Sequence, residues 1–204
     1  MGIVRLVTLI LLFSFATAQA DWYILIPKHL PKKKEMPKNV PVPKIAPKKK
    51  NMKPYKVEIH KLLSPDFTVR TATLNKISLS NLNGKKVVIA FVSNIYSPIS
   101  ESLIYQLKQV VRKEKDTEVI VIDVNDADFA VLKRFKKEMK LERIHLAADS
   151  YVYKQFKNKL DKLEVPSLVI IDRYGFIRYL AKGINSSSVN LVGKEVVSIL
   201  NSLA

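Results

Sequence analysis

Hydroxyl groups crowd one stretch of this chain: Ser93, Tyr96, Ser97, Ser100 and Ser102 all fall between positions 93 and 102. A serine nucleophile needs a base close enough to take its proton. The three histidines, His29, His60 and His145, lie far apart in sequence and show no metal-ligand spacing. The simpler expectation is that the hydroxyls cap a helix and satisfy loop backbone groups. Glu101 follows the same logic, because a carboxylate in the first turn of a helix answers the helix dipole. Asp123, Asp126 and Asp128 resemble a hard-metal loop, yet lack the glycine at the turn and the following glutamate, so capping again is expected. The chain has no cysteine. That single absence removes disulfides, thiolate metal sites, iron–sulfur clusters and thiol nucleophiles. No metal and no cofactor is expected.

These residues need elements to position them. Val87–Val92, Val119–Ile122 and Leu168–Ile171 are continuous apolar runs of strand length, which suits strands buried on both faces. Between the first two, Ile99, Leu103, Ile104, Leu107, Val110 and Val111 recur at helical spacing. Ser97-Pro98 supplies a start for that helix, with proline in the first turn. Phe129, Leu132, Phe135 and Met139 predict a second helix, capped by Asp126 or Asp128. Val152, Phe156, Leu160 and Leu163 predict a third. Val192, Val196, Leu200 and Leu203 predict a C-terminal one. Asp172-Arg173-Tyr174-Gly175 reads as a tight turn joining Leu168–Ile171 to Phe176–Leu180 as a hairpin. Strand–helix alternation followed by a hairpin and a last helix gives an α/β fold, a central mixed sheet flanked by helices on both faces.

Residues 55–204 hold this pattern, and the 54 residues before them differ in kind. The formal net charge of the 204-residue chain is +17, and about half of it sits between Pro27 and Pro54, where ten lysines face one acid, Glu35. Residues 1–20 read as an export signal. Arg5 precedes the apolar run Leu6–Phe15, and Ala18-Gln19-Ala20 has the small-x-small form that signal peptidase accepts. Cleavage after Ala20 is the expected outcome, with an uncleaved anchor as the alternative. Residues 21–54 read as an extended linker or tail, since seven of the ten prolines lie there among the lysines. Lys32, Lys33, Lys34, Lys48, Lys49 and Lys50 are its candidate contacts to an anionic lipid or wall polymer. A plain solvated spacer fits the composition equally well. Nucleic acid is not expected, since no reading motif accompanies the charge. Asp21-Trp22-Tyr23-Ile24-Leu25-Ile26 is an apolar cluster that either packs on the domain or dips into a membrane interface.

Three strings in order carry a resemblance. They are Pro65-Asp66-Phe67, the stretch Ile77-Ser78-Leu79-Ser80-Asn81-Leu82-Asn83-Gly84-Lys85-Lys86-Val87-Val88, and Val165-Pro166-Ser167-Leu168-Val169-Ile170-Ile171-Asp172-Arg173-Tyr174-Gly175. Together they resemble the thioredoxin-like superfamily, in its TlpA, ResA and peroxiredoxin-related (AhpC/TSA-like) group, from about Pro65 to Leu203. The resemblance implies a thioredoxin-like fold and a cis Val165–Pro166 bond. It also implies a Cys-x-x-Cys pair at the positions that Tyr96, Ser97, Pro98 and Ile99 occupy. Tyr96 and Ile99 stand where the two cysteines would be. A phenol ionising near pH 10 is a poor nucleophile at neutral pH, and isoleucine has none to offer.

Thiol–disulfide or peroxidase activity, which family membership alone would suggest, is therefore opposed by the residues themselves. What the resemblance leaves is a groove, expected to be lined by Ile95, Tyr96, Ile99, Val165 and Pro166. The expected role is an exported, redox-inactive module that binds a protein partner at the bacterial cell envelope, in the periplasm or on an extracytoplasmic face. The alternative is that the Lys/Pro arm carries the function.

Overall fold

The computed structural model describes residues 55–203, and the predicted export signal, the Lys/Pro arm and Trp22–Ile26 lie outside the described residues. The elements run β1 (Lys56–Leu63), β2 (Thr68–Arg70), β3 (Lys76–Ser78), β4 (Lys86–Val92), α1 (Pro98–Lys113), β5 (Thr117–Asp123), α2 (Phe129–Glu138), β6 (Ile144–Ala148), α3 (Ser150–Lys159), β7 (Ser167–Ile171), β8 (Phe176–Lys182) and α4 (Val189–Ser202). A 3-10 turn at Leu79–Leu82 sits between β3 and β4. Six strands form one sheet in the order β1-β8-β7-β4-β5-β6, and β2 pairs with β3 as a separate hairpin. The β4–β5 and β5–β6 pairs are parallel, and the remaining pairs of the sheet are antiparallel.

Strand alternation explains why β4 is apolar at every position after Lys86. Val88, Ala90 and Val92 enter one core cluster, with Leu103, Ile104 and Leu107 of α1, Leu132 and Phe135 of α2, and Val192, Val196 and Leu200 of α4. Val87, Ile89 and Phe91 enter the other, with Val152 and Phe156 of α3 and Phe67 and Val69 from the hairpin side. Successive side chains point to opposite faces, so a strand covered on both sides loses the polar half of its pattern. Phe91 packs on Phe156 and Tyr153 with ring centroids 5.4 Å away in each case. Helices thus cover both faces, as the sequence predicts.

The third helix is shorter than its stripe predicts. It ends at Lys159, and Leu160 has extended backbone. Leu160 and Leu163 are nevertheless buried in the second cluster, so the apolar spacing continues past the helix. The Asp172–Gly175 turn forms as expected, with Gly175 at φ 81°, a conformation that costs a residue without Cβ little. Asp172 Oδ1 accepts the backbone N–H groups of Tyr174 at 2.9 Å and Phe176 at 3.0 Å.

Two polar ties hold the ends of the domain. The Tyr55 hydroxyl, at the entrance to β1, donates to the Glu195 carboxylate on α4. Burial, followed by the effect of Glu195, pushes that phenol far above its ordinary range. Lys86, only 5% exposed, donates from Nζ to the Leu200 carbonyl at 2.6 Å. It shares that carbonyl, in the last turn of α4, with the Leu203 N–H at 3.2 Å.

Strand β1 is held to β8 by charge as well as by its ladder. Glu58 lies 2.7 Å from Lys182 Nζ and 2.7 Å from Lys56 Nζ. Lys182 first, and Lys56 with it, hold the Glu58 carboxyl at about 2, well below its ordinary 4.5. A depressed carboxylate contributes stability above its unfolded value and loses it as the pH falls through the folded one. Glu58→Gln is therefore expected to flatten the acid limb of the stability profile between pH 4.5 and about 2. Urea midpoints across that window measure it; an unchanged limb would show that the two lysines contribute nothing there.

Candidate functional site

The candidate site lies at one end of the sheet. Strands β4 and β7 are neighbours and antiparallel, with Phe91 opposite Ser167. The loop leaving β4 and the Val165–Pro166 segment entering β7 consequently reach the same end. The Val165–Pro166 peptide bond is cis. Helix α1 starts there, with Ser97 as N-cap and Pro98 at its first position. Ser97 Oγ accepts the Ser100 N–H at 3.2 Å and donates to Ser100 Oγ at 2.7 Å. Ser97 and Ser100 are thus occupied with capping, as expected of hydroxyls at a helix start.

The loop from Ser93 to Tyr96 is tied down from β5. Asp123, at the end of that strand, is 2% exposed. Its Oδ2 accepts the Ile95 N–H at 3.2 Å and its Oδ1 the Asn125 N–H at 2.9 Å. Asn125 Nδ2 donates to the Ser93 carbonyl at 2.7 Å, and Asn94 Oδ1 accepts the Tyr96 N–H at 2.9 Å. Burial pushes the Asp123 carboxyl up, against the lowering effect of the backbone N–H groups it accepts. Each of the other two aspartates likewise accepts a backbone N–H group. Asp128 Oδ1 caps α2 through the Ala130 N–H at 2.7 Å, and Asp126 Oδ1 accepts the Ser150 N–H at 2.7 Å at the start of α3. Among the described residues no group of three acidic or histidine side chains is placed to hold a metal.

One expected groove residue needs correction. Ile95 is 1% exposed and belongs to the first core cluster, because Asp123 draws its backbone down onto the end of β5. It cannot line a groove. Tyr96 packs against the same cluster, with its ring edge-on to Phe135 at 5.0 Å and 85°. Its hydroxyl donates to Glu138 Oε2 at 3.2 Å and accepts from Arg134 Nε at 3.3 Å, while the Arg134 guanidinium lies 5.9 Å from its ring centre. Val165 packs against the second cluster instead. Tyr96, Ile99, Val165 and Pro166 are each half-buried. They flank one end of the sheet, with Tyr96 leaning toward α2.

Among the described residues neither histidine reaches the serines. His145 Nε2 sits 3.1 Å from Glu118 Oε2, and Glu118 pairs with Val87 near the start of β4. The serines lie beyond that strand's other end, roughly 17 Å along it. His60 is on β1, separated from β4 by β8 and β7. Asp123, Asn125, Arg134 and Glu138 do shape the loop, and sequence reasoning gave none of them that task. The one available signal was a lone acid ending an otherwise apolar strand, Val119–Asp123.

A mixed sheet with helices on both faces, a helix starting after its central strand, and a cis-proline loop beside it define a thioredoxin-like protein. The AhpC/TSA family model matches residues 63–180, and the chain belongs to that family. Solved structures agree in fold. The peroxidoxin BcpB from Mycobacterium tuberculosis is 14% identical with a TM-score of 0.60, covering 72% of this chain and 98% of its own. A peroxiredoxin-like protein from Aquifex aeolicus is 18% identical with a TM-score of 0.53, covering 68% and 87%. A secreted Mycobacterium tuberculosis disulfide oxidoreductase homologous to Escherichia coli DsbE is 17% identical with a TM-score of 0.53, covering 65% and 95%. No curated protein matches the sequence. Among the described residues no helix is long and apolar enough to cross a membrane.

Proposed function

We propose that this chain is an exported, redox-inactive member of its family that binds a polypeptide partner at the cell envelope. The observation that carries the reading is the pairing of a kept scaffold with an absent nucleophile. The capped start of α1 and the cis Val165–Pro166 loop share one end of the sheet, and the chain holds no cysteine. The thiolate is the reactive species in this chemistry, and no tyrosine or isoleucine replaces it. A half-buried apolar surface beside a rigid loop is what peptide-recognition sites use. Tyr96, Ile99, Val165 and Pro166 would supply it here. Export is supported by the Leu6–Phe15 run with its Ala18-Gln19-Ala20 ending, and one similar structure is that of a secreted protein.

Photo-crosslinking in the native host tests this, with one probe at Tyr96 and one at Lys49. A discrete protein adduct from the probe at position 96 is the expected result; in a separate capture of that adduct's protein by the unlabelled chain, Tyr96→Asp should abolish binding with the circular dichroism of the domain unchanged. Adducts confined to Lys49 would favour the second reading, in which ten lysines of the arm hold an anionic surface. Attachment of that kind weakens steeply as salt rises, and apolar capture does not.

A further inference from the structure

We infer that the basic hollow between the C-terminal half of α1 and the α2–β6 connection receives the phosphate of an anionic lipid, so that this corner of the domain lies on a lipid surface. Lys108, Arg112, Lys140 and Arg143 line the hollow around Val111, with Glu142 as its one acid. Val111 follows Ile99 by twelve residues, about 18 Å along the helix, so the hollow is separate from the groove at Tyr96. Carbonyls set two of its cations in place. Lys108 Nζ donates to the Met139 carbonyl at 2.7 Å, and Arg143 donates to the Val111 carbonyl and, at 3.1 Å, to that of Lys115. Arg112 and Lys140 stand exposed beside them.

The charge around the hollow is not that of an ordinary solvated surface. Residues 108–115 and 133–143 hold ten lysines and arginines against three acids, a net of +7. Residues 55–204 as a whole hold twenty-four against sixteen, a net of +8, so the rest of the domain is nearly neutral. Among the described residues only one of the ten is ion-paired, Arg134 with Glu138 at 3.8 Å. Exposed helix faces ordinarily interleave opposite charges four residues apart. Here Lys108 and Arg112 on α1, and Lys133 and Lys137 on α2, repeat one sign at that spacing, which costs helix stability. A polyanionic surface offsets that repulsion. Tyr105 favours lipid over a free anion. It precedes Lys108 by three residues and Arg112 by seven, so it shares their stripe of α1, and it is 52% exposed. It also borders Met139, whose carbonyl holds Lys108. A tyrosine so placed is at home at the headgroup level of a membrane, whereas a free anion makes no use of it.

The chain has no cysteine, so one introduced thiol carries an environment-sensitive dye to a single place in the full chain. Gln109→Cys puts the dye on α1 beside the hollow, and Asn158→Cys puts it on exposed α3, across the sheet. Vesicles of phosphatidylglycerol mixed with phosphatidylcholine should blue-shift the dye at position 109 and leave that at 158 unmoved. Arg112→Glu/Lys140→Glu should weaken the response several-fold, even where the lysine arm still brings the chain to the vesicles. Arg112→Gln/Lys140→Asn should weaken it in the same direction with circular dichroism unchanged, since asparagine tolerates the left-handed backbone of position 140 at φ 52°. Vesicle binding with no response at 109, an equal response at both dyes, or a response that neither double variant weakens would overturn the inference. So would an equal shift with phosphatidylcholine alone, which would remove charge as the cause. The same shift with inorganic phosphate and no vesicles would also overturn it, and would make the hollow a site for a free anion.

Discussion

Tyr96→Cys/Ile99→Cys is expected to convert a chain without thiol chemistry into one with a reducible disulfide and measurable insulin-reducing activity. The two positions flank the N-cap Ser97 and the first helical residue Pro98, so both new sulfurs would lie at the positive end of α1. A helix N-terminus favours the thiolate and lowers a thiol from its ordinary value near 8.5. The neighbouring loop is already held in place, because the Ile95 N–H donates to Asp123, the Ser93 carbonyl accepts from Asn125, and the Tyr96 N–H donates to Asn94 Oδ1 within the loop. The cost is the edge-to-face contact between Tyr96 and Phe135, about 0.5–1.5 kcal/mol beyond the area it buries. Activity would be read by insulin turbidity, and the thiol pKa by the ultraviolet absorbance of the thiolate. Each single variant should remain inactive in turnover. A double variant that never closes its disulfide would show that the backbone here has left redox geometry, along with the residues.

The second large effect is expected from Asp123→Ala. The Ile95 N–H is buried and would lose its acceptor, which costs about 1–3 kcal/mol for a group that cannot reach water. Asn125 is exposed, and its own N–H can turn to solvent. Loss of order should be local first, so hydrogen exchange at Ile95 and Tyr96 should accelerate more than in β4. Asp123→Asn separates geometry from charge. The folded carboxyl lies above its ordinary 3.8 because it is buried, so the folded state holds the proton more tightly than the unfolded chain. Wild-type stability therefore falls as the pH rises from 3.8 through the folded value. That descending limb should vanish in Asp123→Asn. If it persists, another group is responsible for it.

The sequence was most legible where burial was complete. β4, β5 and β7 read as apolar runs because both faces of the sheet are covered, and α1, α2 and α4 read as stripes because one face is. β1 was not legible. Its edge position leaves Ile59 and Leu63 exposed while His60 is half-buried, so it alternates on neither rule. β2 and β3 have three residues each, too few to show a period. β6 has five, with His145 breaking the apolar run. At the site, the Ser97 N-cap followed from local sequence. The fate of Ile95 did not, since it depends on Asp123, which reaches it only through the β4–β5 pairing. The lean of Tyr96 toward Arg134 and Glu138 is likewise a contact across 38 and 42 positions.

Lys86 gives the domain an internal clock. Its amine is sealed beneath the end of α4, whereas an amine such as that of Lys85, half exposed beside it, meets any reagent in solution. Reductive methylation should mark Lys85 at once and Lys86 only when α4 lifts from the sheet. The ratio of the two labels over time would report how often α4 opens, in conditions where no denaturant is present.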